Sequence, residues 1–337
     1  MKKFIALWKH RYQKYSHILK VNIHFIIDFL WFKVQKLYHR KPFVAIALTQ
    51  QFGDIVAGEP LSRQVRKKHP NSTIIWFVRP AFKELVQNNP NIDIIFEDIC
   101  ANHRKKILGA NIFDTVYNLQ FRNNSHCEIC NVFVDNEVAD KKGITIENYY
   151  FHGNLLEVQQ KIAGIELIDE TPILYFSNSE VQKIDSLNLP TKFIVIHCQS
   201  AQNSRNWDAS KWQQLINQLI EQYDIAIVEI GLSSELAIHS KNYINLCGKL
   251  SLLETAEVIK RARLYIGIDS GPAHLANAVG TYGIIMLGKL ANFVNHIPYS
   301  GGYKSGKTAT IIRNTNGPSS EIEISEVLEV IKSKELI

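Results

Sequence analysis

From residue 43 onward, short runs of β-branched and aromatic residues alternate with longer stretches of helical periodicity, and the alternation occurs twice. Strands joined by helical connections cannot pair as hairpins. They lie parallel, so each series specifies a parallel sheet with helices on both faces. The first series is Phe43–Leu48, Thr73–Val78, Ile92–Phe96 and Phe113–Tyr117, and the second is Phe193–His197, Ile225–Ile230, Leu264–Ile268 and Gly283–Leu287. Helices are expected over Pro60–Lys68, Ala209–Gln222 and Leu252–Ala262, and Glu166–Pro190, rich in Ser and Asn with Pro172 and Pro190, reads as a linker. A chain of 337 residues is long enough for two such cores. The expected division is a helical segment over 1–41, an N-terminal domain over 42–170 and a C-terminal domain over 171–337. Ligands of doubly wound sheets bind at strand C-terminal ends, which here would face a central cleft.

The formal charge of +6 is unevenly spread: residues 1–41 carry +9 and the remaining 296 carry −3. A generally basic nucleic-acid-binding surface is therefore excluded. The basic segment has a helical period, with Leu19, Ile23, Ile26, Leu30, Val34 and Leu37 on one stripe and Phe25, Phe29 and Phe32 beside it. Val21–Val34 is too short and polar to span a bilayer, and no small-residue cleavage site follows it. Lys9, Arg11, Lys14, Lys20, Trp31, Lys33 and Lys36 suit a helix lying on an anionic membrane surface. A helix packed on the body of the protein fits the same pattern, and the two are compatible.

Five cysteines without an export signal indicate reduced thiols in the cytoplasm. Cys127 and Cys130 form one C-x-x-C with His126 beside it, and no second pair stands at finger spacing. They read as incidental thiols, and no metal site is expected.

Four segments carry candidate chemistry. Gly301–Thr308 matches G-x-x-x-x-G-K-[ST] by letter, but Pro298-Tyr299-Ser300 precedes it and the β-like Ala309–Arg313 follows, so the strand–loop–helix context of a phosphate loop is missing. The run Asp269-Ser270-Gly271-Pro272-Ala273-His274 follows a strand and opens a helix that Gly280 ends. Ser270 is placed to cap that helix, and its free amides suit a diphosphate, while Asp269 would hold the turn or a hydroxyl. The polar loop after His197 offers Ser200 and Arg205 to phosphate, with Trp207 packing beneath it. Gln51, Gly53 and Asp54 follow the first strand, where Asp54 could accept a proton or simply cap a turn.

Together these segments resemble glycosyltransferase family 9, the ADP-heptose:lipopolysaccharide heptosyltransferases. Gly53-Asp54 is similar to the end of the family's S-x-L-G-D element, and Pro60-Leu61-x-x-x-Val65-Arg66 and Phe77-Val78-x-Pro80-Ala81-Phe82 follow in register. Phe113-Asp114-x-Val116-x-x-Leu119-Gln120 resembles the next strand, and Asp269-Ser270-Gly271-x-x-His274-Leu275-Ala276 the D-[ST]-G-x-x-H donor motif. The likeness covers about residues 43–300. It implies a GT-B fold of two Rossmann-like domains and an inverting transfer that needs no metal or other cofactor, in keeping with the lack of a D-x-D in the body. Asp54 would be the catalytic base. Ser200, Arg205, Asp269, Ser270, Gly271 and His274 would bind the nucleotide-sugar donor, and Gln51, Gly53 and Gln120 would line the acceptor side. The implied donor is ADP-heptose, and the implied acceptor is the lipid-linked Kdo–lipid A core at the inner face of the cytoplasmic membrane.

The sequence departs from the family pattern at Leu48, at Ala57-Gly58-Glu59 and at Gly288-Lys289-Leu290-Ala291-Asn292. These positions bear on sugar identity, so a different nucleotide sugar and surface glycan, or a non-transferring relative such as a nucleotide-sugar epimerase, are the alternatives.

Overall fold

The computed structural model describes residues 2–49, 51–120, 126–133, 136–289 and 296–337, the side chains of residues 2–6, 126 and 133 excepted. In chain order it contains α1 (Lys2–His39), β1 (Phe43–Ala47), α2 (Phe52–Ala57), α3 (Glu59–Lys68), β2 (Thr73–Val78), α4 (Glu84–Gln87) and β3 (Ile94–Glu97). Then come α5 (Ala101–Leu108), β4 (Thr115–Asn118), the hairpin β5 (His126–Cys127) and β6 (Val132–Phe133), α6 (Glu137–Lys141), α7 (Leu155–Ala163) and α8 (Asn178–Asp185). The last part holds β7 (Phe193–His197), α9 (Ala209–Tyr223), β8 (Ala226–Glu229), β9 (Tyr243–Asn245), α10 (Leu252–Arg261), β10 (Leu264–Ile268), α11 (Gly271–Val279), β11 (Gly283–Leu287), β12 (Ala309–Arg313) and α12 (Ile324–Ser333). Two compact units result. One comprises residues 1–50, 61–152 and 157–167, and the other residues 51–60, 153–156 and 168–337.

The first unit is built on a parallel sheet of order β3-β2-β1-β4, with Phe43 opposite Thr73 and Val44 opposite Thr115. One sheet face presents Phe43, Ala45 and Ala47 from β1 and Ile75 and Phe77 from β2, following the two-residue period of a strand. The small Ala45 and Ala47 leave room for rings, and α1 supplies them. Phe32 is fully buried, its ring centroid 5.0 Å from Phe96 and 5.2 Å from Phe113. Polar contacts fix the same helix face: Asp28 Oδ2 lies 3.1 Å from His103 Nε2, and Lys36 Nζ donates to Asp114 Oδ2 at 2.8 Å and to Ile112 O at 2.7 Å. Lys36 therefore docks the helix and does not stand on its open side.

The two apolar stripes of α1 have different fates. The phenylalanine stripe is packed, whereas Leu19, Ile26, Leu30 and Val34 are each 57–60% exposed and Leu37 77%. Rings fit over the alanine floor of the sheet, and once they are seated the aliphatic stripe points away from it. No described helix is long and apolar enough to cross a membrane.

Among the described residues, the second unit holds six parallel strands in the order β12-β11-β10-β7-β8-β9. Ile194 and Ile196 of β7 and Ile266 and Ile268 of β10 share one face with Trp212, Leu215, Ile216 and Leu219 of α9. The expected linker contains α8, because Ser177 N–H donates to Glu180 Oε2 at 2.7 Å in a Ser-x-x-Glu capping box that overrides the polar composition. Gly301–Thr308 forms turns running straight into β12, so no helix follows the letters of the phosphate-loop match. Instead Gly301 N–H donates to Asp169 Oδ1 at 2.8 Å.

Truncating Phe32 to Ala should cost about 3–5 kcal/mol, the usual loss for a buried ring. Leu30→Ala, on the exposed stripe, should change stability by less than about 0.5 kcal/mol. Urea unfolding of the two variants checks both.

Candidate active site

In the second sheet the chain runs from β7 outward through β8 to β9, then returns to place β10 on the other side of β7. The order reverses between β7 and β10, and the loops after these strands are where doubly wound sheets bind ligands. Those loops carry Ser200 and Arg205 on one side and Asp269, Ser270, Gly271 and His274 on the other.

Arg205 and Asp269 form the polar centre. Arg205 Nη1 lies 3.1 Å from Asp269 Oδ2 and donates to Asp269 O at 3.3 Å. Tyr299 OH donates to Asp269 Oδ1 at 2.9 Å, so both carboxylate oxygens are engaged. Asp269 thus aims the guanidinium and offsets its charge. Ser319 Oγ donates to Arg205 O at 2.6 Å and holds the backbone of the same loop. Arg205 Nε is buried with no hydrogen-bond partner among the described residues, as is His274 Nδ1. Buried polar atoms without partners are rare and mark a place that something else completes.

Ser270 occupies the N-cap position of α11, as expected, but its hydroxyl does not cap. It donates to Ile268 O at 3.2 Å and sits 3.0 Å from His197 Nδ1. The serine ties the β10 turn to the end of β7 and leaves the opening of α11 without a side-chain cap. Amides of a helix start with positive dipole are suited to an anion. Burial pushes both His197 and His274 down to about 4, so both rings are neutral at physiological pH. The His274 ring lies 4.7 Å from Tyr299, centroid to centroid.

Ser200 is used within its own loop. Its hydroxyl donates to Gln202 O at 2.9 Å and accepts from Gln202 N at 3.2 Å, while Asn206 Oδ1 accepts from Ser200 N at 2.7 Å. Trp207 packs beneath, almost fully buried, with Nε1 donating to Ile322 O at 2.7 Å.

The segment 51–60 belongs to this unit, although it follows β1 in the chain. Glu59 helps hold it there, accepting from Ile173 N at 2.9 Å and Tyr175 OH at 3.1 Å. Its short helix α2 lies against the start of α11 through two glycines. A Cβ on Gly53 would stand 3.0 Å from His274 Cδ2, and one on Gly271 would fall 1.9 Å from Phe52 Cζ. The contact brings Gly53 and Asp54 beside the donor-motif residues. Asp54 caps its own helix, accepting from Gln51 N at 3.4 Å. Burial pushes its carboxyl up to about 6, against the pull of the Gln51 amide and the Arg205 charge. Gln51 itself is exposed.

Gln120 lies in the first unit, just beyond β4, buried with its backbone carbonyl accepting from Asn136 Nδ2 at 2.9 Å. Of the Gly288–Asn292 departure, Leu290, Ala291 and Asn292 lie outside the described residues. Tyr299, His197 and Glu59 emerge as supports from the structure. Only the position of His197 at a strand end gave any sequence signal.

Two parallel α/β sheets, with a helix start open to an anion at the switch point of one, fit the GT-B class of fold. A family model described as glycosyltransferase family 9 (heptosyltransferase) matches residues 156–327, and the chain belongs to that family. Lipopolysaccharide heptosyltransferase 3 of Escherichia coli is 23% identical over 273 residues, covering 70% of this chain and 80% of its own length. A family 9 glycosyl transferase structure from Veillonella parvula superposes with a TM-score of 0.64 at 15% identity, over 87% of this chain and 96% of that one. The E. coli ADP-heptose lps heptosyltransferase II structure gives 0.63 at 16% identity, over 87% of this chain and 98% of that one.

The glycine contact is open to a double-mutant cycle. Gly271→Ala should destabilise the protein by about 1–3 kcal/mol through overpacking against Phe52. In a Phe52→Ala background the same change should cost about 1 kcal/mol less. Additive losses in thermal unfolding would show that Phe52 and Gly271 do not interact.

Proposed function

We propose that this glycosyltransferase moves a heptose from ADP-heptose to the Kdo–lipid A inner core of lipopolysaccharide, with inversion and with Asp54 as the base. The observation that carries this reading is the placement of Asp54 in the same unit as Arg205 and the start of α11. A base for the acceptor hydroxyl and a clamp for the leaving diphosphate are thereby held by one set of contacts. The donor identity is supported by the likeness to an ADP-heptose lps heptosyltransferase.

In this mechanism the diphosphate lies against the opening amides of α11 and the Arg205 guanidinium. Both stabilise the charge that develops as the glycosidic bond to the nucleotide breaks. Asp269 and Tyr299 keep the guanidinium in place and act as positioning residues. Asp54 takes the proton from the attacking hydroxyl. A carboxyl near 6 is ionised at neutral pH yet basic enough for this task. The raised value has a cost. Protonation is easier in the folded state than in the unfolded chain, so ionising Asp54 works against folding as pH rises from about 4 through 6.

Acceptor-dependent release of ADP, measured against pH, tests the assignment. Turnover should rise through about pH 6 to a plateau. Asp54→Asn should lower it by about 10²–10⁴-fold, abolish the pH 6 limb, keep nucleotide binding and melt no lower than wild type at neutral pH. Undiminished transfer by Asp54→Asn would remove the base. A panel of ADP-, UDP- and GDP-sugars separates ADP-heptose from another donor, and conversion of the donor to an isomeric nucleotide sugar without acceptor would favour donor-only chemistry such as epimerisation.

The exposed stripe of α1 supports a place for this chemistry at an anionic membrane surface. Its aliphatic residues are joined by Trp8, Tyr12 and Tyr15 and flanked by the exposed Lys9, Arg11, Lys20 and Lys33. Such a helix lies in the headgroup layer with its charges on anionic lipid. Replacing Ile23, Ile26 and Leu30 by Ser should weaken binding to vesicles containing phosphatidylglycerol while leaving the unfolding midpoint nearly unchanged. Equal vesicle binding by the variant would contradict the membrane placement.

A further inference from the structure

The sequence offers two metal-type ligands in Cys127-x-x-Cys130, but the fold brings up two more. His17 comes from α1, and Cys100 stands directly before α5. With the two cysteines of the β5–β6 hairpin they place one ligand atom each within 4.8 Å of one another. Cys127 Sγ is 3.6 Å from His17 Nε2, Cys100 Sγ is 3.9 Å from Cys130 Sγ, and Cys127 and Cys130 are 3.1 Å apart. Metal–sulfur bonds of about 2.3 Å and metal–nitrogen bonds of about 2.0 Å in a tetrahedron separate neighbouring donors by roughly 3.5–3.8 Å. The cluster needs only small side-chain adjustments to reach that figure.

We infer that His17, Cys100, Cys127 and Cys130 form a structural metal site for a tetrahedral divalent cation, Zn²⁺ by its donor set. Three thiolates and one imidazole complete a tetrahedron without a place for water, the pattern of a structural rather than a catalytic centre. The hairpin is shaped for it: Cys130 N–H points to Cys127 Sγ at 3.4 Å, a backbone contact that helps hold a thiolate ligand. Ile18, Ala101 and Val132 pack around the sulfurs and limit access of water. None of the four residues belongs to the transfer machinery, so the site is independent of the catalytic proposal.

Its effect would be mechanical. His17 is 110 residues from Cys127 in sequence, and a shared ion would fasten the first half of α1 to α5 and the hairpin. Phe25, Phe29 and Phe32 already seat the second half. The bond would fix the rotation of the helix along more of its length, and with it the direction in which the exposed stripe faces.

Elemental analysis of the full chain, purified without chelator, tests the inference directly. It should find one zinc per chain, and the Co²⁺-loaded protein should show the intense ligand-field absorption of a tetrahedral thiolate site. Cys127→Ser and His17→Ala should lose stoichiometric metal and melt lower, whereas Cys247→Ser should keep it. Wild-type protein with substoichiometric metal, or a Cys127–Cys130 disulfide found by mass spectrometry, would overturn the site whether or not the variants fold. Stoichiometric iron in protein from zinc-replete cells would overturn the assignment to zinc.

Discussion

The close approach of α2 to the start of α11 is the contact on which the proposed chemistry depends. α2 comes this close to the start of α11 because a Cβ is missing on each side: Gly53 leaves room for His274 and Gly271 for Phe52. The contact does two things at once. It buries the Asp54 carboxyl enough to raise it to about 6 and sets it within the field of Arg205. Beside it, the start of α11 has no side-chain cap because the Ser270 hydroxyl turns to Ile268 O and His197. Glycine is required by space at Gly271, where any side chain would meet the Phe52 ring, while Gly53 keeps the approach to His274 uncrowded.

Around that contact, charged groups are arranged by partners rather than left to solvent. Asp269 could oppose a phosphate, yet its two oxygens are taken by Arg205 and Tyr299, so it serves the guanidinium. The histidines beside it are neutral because they are buried. A diphosphate would meet one aimed cation and the positive end of a helix, a preorganised arrangement that needs no rearrangement when charge develops. In the first unit the same economy applies to α1. Its rings fill the space over Ala45 and Ala47, Lys36 locks its end, and its aliphatic side stays exposed.

Much of the sheet architecture was legible because buried parallel strands are written as continuous β-branched runs. Thr73–Val78, Phe193–His197, Leu264–Ile268 and Gly283–Leu287 have the bounds expected from sequence. The short β9, whose residues are only half-buried, and the two-residue hairpin strands carry no such run. The donor motif was legible as a strand followed by a helix start, but the task of the Ser270 hydroxyl was not. Local rules give it the capping role, and a histidine 73 positions away takes the contact instead. The thiol cluster was hidden for the same reason. Finger spacing registers ligands that are near in sequence, whereas His17 arrives from α1 and Cys100 from the turn before α5. Nor does periodicity say which of two adjacent apolar stripes a helix buries; the shape of the sheet surface decides it.

In the proposed mechanism the start of α11 and Arg205 hold the leaving diphosphate while Asp54 faces the sugar. A crystal structure of the protein with a non-transferable ADP-sugar tests it most directly. Diphosphate oxygens should lie on the Gly271 amide and the Arg205 guanidinium, with the anomeric carbon turned toward Asp54. A diphosphate bound away from α11, or an anomeric carbon with Asp54 on the same face as the departing nucleotide, would contradict it.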